Sequence, residues 1–296
     1  MIDDSVVRDN TIHDQPTFDE TPWQPAPTRQ PHLGYTLLLL LIGVALLAAF
    51  TVAFTLAGSF RHLLTAQPAH AMDLPKLSIL LEALTFAGTF GIALAVFPRM
   101  WHRSFAHTID WHVAMARQHW PKLAAFGIVL SLFAQLLESH LILPRQMPVD
   151  AFFQHPSDVW VVAIFGTFVA PICEEVFFRG FLLRGVAIAY DWFATPRTDL
   201  GRILWNSSNT LSRRALIVSG ILTSGIFAAM HAAQLGFAWN AVAVLWVVGG
   251  ALTAVRLRLN SVAASCVVHA VYNGWIFAVI FVATGGFRHL DRMTAH

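Results

Sequence analysis

Charge is scarce in this chain. Asp, Glu, Lys and Arg make up 12% of its 296 residues, where soluble domains carry about 25%. That excludes a conventional soluble domain as the bulk of the chain. Cysteine is scarcer still: Cys173 and Cys266 are the only two, both inside apolar runs, which excludes a disulfide framework. A net charge of only +2 gives no basic face for phosphates, so no nucleic-acid partner is expected. There is no HExxH, the usual helical zinc signature. Nor is there a basic-then-apolar leader. Residues 1–32 are polar and include Pro16, Pro22, Pro25, Pro27 and Pro31. They read as a disordered cytoplasmic tail, with no cleavable signal expected.

Apolar residues dominate instead, at 56%, with a mean hydropathy of +0.59, 23 Phe and 10 Trp. A helix needs about 20 apolar residues to cross a bilayer. Candidate spans are 33–58, 76–98, 122–143, 157–189, 215–235, 238–255 and 262–284. Hydrocarbon offers no partner for backbone N–H and C=O, so these spans must be helices. The expected fold is an all-α, polytopic membrane helix bundle of seven to eight transmembrane helices, with the lipid bilayer as its first partner. An eighth span is allowed because 157–189 is long for one crossing. The membrane domain is expected over 33–285, with a short C-terminal tail at 286–296. Lys and Arg concentrate on one side of a seven-span arrangement, in the segments holding Arg99, Arg103, Arg117, Lys122, Arg197, Arg202, Arg213, Arg214, Arg256 and Arg258. That side is read as cytoplasmic, together with the N-terminus, and the expected location is a bacterial inner membrane. Residues 99–121, rich in His and Trp, read as an interfacial stretch between spans. Its histidines fit headgroup-level residues better than metal ligands.

One apolar segment breaks the rule against charge in lipid. Pro171-Ile172-Cys173-Glu174-Glu175-Val176-Phe177-Phe178-Arg179 carries two carboxylates and an arginine. Each costs roughly 2.5–3.5 kcal/mol to insert, and such residues mark function. Glu175 and Arg179 stand at i and i+4, on one helix face, and can pair. Glu174 lies about 100° around the helix, unpaired by that arrangement and suited to act as a general base. An ion-pair cluster gluing helices is the plainer reading of the three. Arg184, nearer the helix end, can snorkel to the interface.

Two later spans add polar groups: Phe227-Ala228-Ala229-Met230-His231, and His269-Ala270-Val271-Tyr272-Asn273. A single buried His is usually a packing residue, but His269 and Asn273 share a face and need a polar partner. Two chemistries suit the set. A carboxylate and a His can hold and deprotonate a water, while a second His and an Asn donate to the oxyanion. Alternatively, Glu174, His231 and His269 would hold one divalent metal, Zn²⁺ first, as His₂Glu sites do.

These three motifs, in this order and in separate spans, resemble those of the CAAX-protease and bacteriocin-processing (CPBP) intramembrane endopeptidases. That family includes the Ras-converting CAAX prenyl proteases and the lysostaphin-resistance proteins. The resemblance covers about 155–285, the expected peptidase core. It implies about eight helices around a cavity open to cytoplasm and bilayer. It implies that Glu174 and His231 activate water, that His269 and Asn273 form the oxyanion hole, and that Glu175 and Arg179 order the site. The implied substrates are membrane-associated or lipidated, CAAX-type peptides. Residues 191–214 lengthen the gap between the first two motifs and read as an insertion loop. A proton-coupled transporter and a non-catalytic immunity or scaffold protein are the alternatives; the transporter lacks matching broken-helix halves, and the scaffold has no reason to keep every motif residue.

Overall fold

The computed structural model describes residues 29–65, 74–144, 146–207 and 209–293. Within them the chain is helical: α1 Leu33–Thr65, α2 Leu74–Trp101, the single turn α3 Phe105–Thr108 and α4 Val113–Glu138 come first. The long α5 spans Pro156–Ala194. Then follow α6 Asp199–Ser207, α7 Arg213–Met230, α8 Trp239–Leu259 and α9 Val262–Ala283. Seven of these, all but α3 and α6, are long and apolar enough to cross a membrane. The expected membrane bundle is therefore found with seven spans; the segment that allowed an eighth is α5.

Three boundaries differ from expectation. Helix α4 starts at Val113 rather than 122, so much of the supposed interfacial stretch is helix. Polar residues at its start do not end it, because backbone bonding continues outside lipid as well as within. His112 joins neighbouring elements: its Nδ1 lies 2.7 Å from the carbonyl of Asn260 at the α8–α9 turn. The insertion at 191–214 holds α6 and is not all loop. Finally, the end of the supposed tail is anchored: the guanidinium of Arg29 lies 3.7 Å over the Trp205 ring. Residues 1–28 of that tail lie outside the described residues, as do Arg145, Ser208 and 294–296.

Helix α5 is not a regular α-helix. It contains two π segments, Phe165–Val169 and Val176–Leu182, which flank the short α-helical piece bearing Glu174 and Glu175. Such wide turns often mark functional sites. Pro171 contributes to the first, since it has no N–H to donate. The Ala170 N–H bonds to the Phe165 carbonyl, five residues back. The carbonyl of Gly166 thus loses its ordinary donor, and Pro171 cannot supply another. In the second segment the Leu183 N–H bonds likewise to Phe178, which frees the Arg179 carbonyl.

The remaining helices pack around this broken one. Helix α9 lies along α4, α8 along α7, and α1 along α2. Leu130, Ala134, Val248, Leu252, Ala264 and Val268 form the main apolar core between α4, α8 and α9. Gly127 sets the closest approach: a Cβ there would stand 2.8 Å from the Val268 carbonyl and 2.9 Å from Val271 Cβ. A stripe without a side chain lets two membrane helices meet backbone to backbone. Gly127→Ala therefore pushes α9, and His269 with it, away from α4. The expected cost is about 1–3 kcal/mol of overpacking, read as a lower melting temperature in detergent.

Candidate active site

The predicted pair is present and fully buried. Arg179 Nη1 donates to Glu175 Oε1 at 2.8 Å, and both side chains have no exposed surface. Burial of two charges in lipid-embedded protein requires further partners. Arg179 Nη2 donates to the Gly249 carbonyl on α8 at 3.0 Å, and its guanidinium lies 4.7 Å over the Phe227 ring of α7. His269 Nδ1 lies 3.0 Å from the same Glu175 Oε1. A carboxylate paired to Arg only accepts, so Nδ1 carries the hydrogen. His269 Nε2 then lies 3.7 Å from Glu174 Oε2. Glu174 has no hydrogen bond among the described residues and is held by that looser ion-pair contact.

His231 caps the end of α7. Its Nδ1 lies 2.8 Å from the Phe227 carbonyl. A carbonyl accepts only, so Nδ1 is the donor and Nε2 is left as an acceptor. Phe227 itself contacts both imidazoles, with centroids 4.7 Å from His231 and 5.8 Å from His269. One ring thus touches the arginine and both histidines.

Glu174 and His231 line a cavity of about 280 Å³, together with residues of α1 and α2, and with Gln234 just beyond α7. His269 and Asn273 do not line it. Asn273 instead uses Nδ2 to donate to the Gly166 carbonyl at 2.7 Å. This is the carbonyl that the first π segment leaves free. The second π segment is closed in the same way, because Arg256 Nε reaches the freed Arg179 carbonyl at 3.4 Å.

Arg256 is a residue the sequence reading misplaced. It lies in the last turn of α8 but is only 4% exposed. It donates to Asp110 Oδ2 at 2.5 Å and to Asn260 Oδ1 at 2.9 Å. Arg184 joins Asp110 at 3.2 Å and is not a lone snorkelling charge. No local pattern signals this cluster, since Asp110 and Arg256 are 146 residues apart. Glu82 of α2 was also missed, although a carboxylate well inside an apolar span is a legible signal. It lines the same cavity as Glu174.

The metal alternative has no ready ligand set among the described residues. Among the described residues no three His, Cys, Asp or Glu side chains converge as a metal site would require.

Glu175, Arg179 and His269, buried among helices long and apolar enough to cross a membrane, with Glu174 and His231 partly buried beside them, define a polytopic membrane protein with a polar cluster inside its bundle. Residues 156–275 match the family model described as Type II CAAX prenyl endopeptidase Rce1-like. That segment is similar to this family. No curated protein and no solved structure matches the chain.

The pairing has a measurable consequence. Glu175→Gln leaves the Arg179 charge buried without a counter-charge, a change that costs about 3–5 kcal/mol in buried pairs. Glu174→Gln removes only the looser contact to His269. The first variant is expected to melt well below the second in detergent; equal melting temperatures would refute the pairing.

Proposed function

We propose that the protein is an intramembrane endopeptidase in which Glu174 activates a water for attack on a peptide carbonyl. The observation that carries this reading is that Glu174 and His231, whose Nε2 is left as an acceptor, line one cavity within the membrane helices. A water there donates one hydrogen to Glu174 and the other to His231 Nε2. Its lone pair is thereby turned toward the substrate carbonyl. As the water oxygen bonds to carbon, its proton passes to Glu174. Breaking of the C–N bond then returns that proton to the leaving amine.

The oxyanion is assigned to His269 and Asn273, which share a face of α9 just outside that cavity, with His269 Nε2 3.7 Å from Glu174 Oε2. His269 is held through Nδ1 on Glu175, which turns Nε2 toward Glu174; in the imidazolium form Nε2 also carries a proton and donates to the developing charge. Asn273 keeps a second N–H beyond the one given to Gly166. Glu175, paired with Arg179, holds His269 without meeting the substrate.

The substrate class is proposed to be lipidated or membrane-associated peptides. A second cavity, of about 400 Å³, is lined by Phe86, Phe90, Phe105, Ile109, Trp111 and Val176 among others. Phe86, Phe90 and Cys173 line both cavities, so an apolar chain has space beside Glu174. The cytoplasmic N-terminus inferred from the Lys and Arg distribution is kept as part of this reading.

Purified protein should cleave a quenched-fluorescent lipidated peptide, and Glu174→Ala should abolish cleavage while the protein stays folded. A zinc chelator should leave the rate unchanged. Loss on chelation, restored by Zn²⁺, would overturn the glutamate-activated water. Asn273→Ala is expected to lower kcat by about 10²–10³ with little change in KM, as for other oxyanion donors. A change confined to KM would remove Asn273 from that role.

A further inference from the structure

We propose that α2 is the wall that holds the substrate, with Glu82, Thr85 and Thr89 binding the extended backbone of the peptide that Glu174 attacks. The inference rests on the peptidase reading above and adds a function for a helix outside the matched segment 156–275.

The three residues stand at i, i+3 and i+7, hence on one face. All three line the cavity that also contains Glu174 and His231. Thr89 is only 6% exposed, yet its hydroxyl has no hydrogen-bond partner, and neither has that of Thr85. Threonines in membrane helices ordinarily bond back to the carbonyl one turn earlier. Thr51 and Thr55 of α1 do so, each at 2.8 Å. Thr85 and Thr89 do not, although the carbonyls of Leu81 and Thr85 stand one turn before them. The hydroxyls of Thr36 and Thr223 also lack a partner, away from this cavity; Thr85 and Thr89 instead share one cavity wall with Glu82, and since a buried unpaired hydroxyl is unfavourable, the two together point to a ligand that completes them. Glu82 makes no hydrogen bond or ion pair with a described residue. The charge within its electrostatic reach is Glu174, a like charge.

An extended peptide matches this wall. The stripe rises about 1.5 Å per residue, so Glu82 to Thr89 spans about 10 Å. That is the length of about three extended residues at roughly 3.3 Å each. A strand turns both N–H and C=O groups to one side. Glu82 accepts from N–H, while the threonine hydroxyls donate to C=O. These contacts set which bond stands opposite Glu174 without taking part in its hydrolysis.

The test uses the full chain in lipid nanodiscs with a quenched-fluorescent farnesylated peptide. Thr85→Val combined with Thr89→Val keeps side-chain shape and removes both hydroxyls. It is expected to raise KM about tenfold or more, the loss of one or two net hydrogen bonds, with kcat within about twofold of wild type. Glu82→Gln should raise KM in the same sense. Thr85→Ser with Thr89→Ser restores the hydroxyls and should restore KM. That control separates a contact from a folding defect. Cleavage by wild type with KM unchanged in the valine and Gln variants would overturn this inference and leave the peptidase reading standing. An equal fall in kcat without a change in KM would overturn it too, since the wall would then act in the chemistry. A wild type that cleaves nothing would take down both readings together.

Discussion

The buried pair of Glu175 and Arg179 is the constraint on which the other parts of the site depend. A guanidinium in a lipid-surrounded bundle needs its charge and its donors answered from within the protein. One carboxylate on the same helix cannot satisfy it. The Gly249 carbonyl of α8 and the ring of Phe227 on α7 complete its surroundings. His269 of α9 is attached to the same carboxylate oxygen. Three helices are thus fixed around α5 by one charge, and their fixed positions set the two imidazoles. The pair does not need to touch a substrate to matter; it supplies the rigid frame on which Glu174 is the less constrained carboxylate.

The span pattern was legible because lipid leaves few alternatives: long apolar runs must be helices, and the all-helical bundle follows. The i, i+4 relation of Glu175 to Arg179 was legible for the same local reason. Helix ends outside lipid were not, since hydropathy falls at His119 and Lys122 while backbone bonding in α4 continues back to Val113. The Asp110–Arg256 cluster was hidden by its separation along the chain. Glu82 was visible as a charge in an apolar span, but its place beside Glu174 depends on how α2 packs, which no residue spacing encodes. The commitment of Asn273 to Gly166 was equally hidden. It depends on a π segment, and neither Pro171 nor any neighbour announces which carbonyl will be left over.

The two π segments have a consequence for how the chain tolerates change in length. A π turn stores one residue more than the α-helical ladder requires. Helix α5 has such a reserve on each side of Glu174 and Glu175, and each freed carbonyl is closed by a side chain from another helix, Asn273 or Arg256. The six residues Ala170–Glu175 are therefore bracketed by bonds from other helices, at Gly166 on one side and Arg179 on the other. The spare residue on each side is thus spent on a seam with a neighbouring helix, one with α9 and one with α8, so that an insertion or deletion in α5 would break a contact between helices as well as a turn within one.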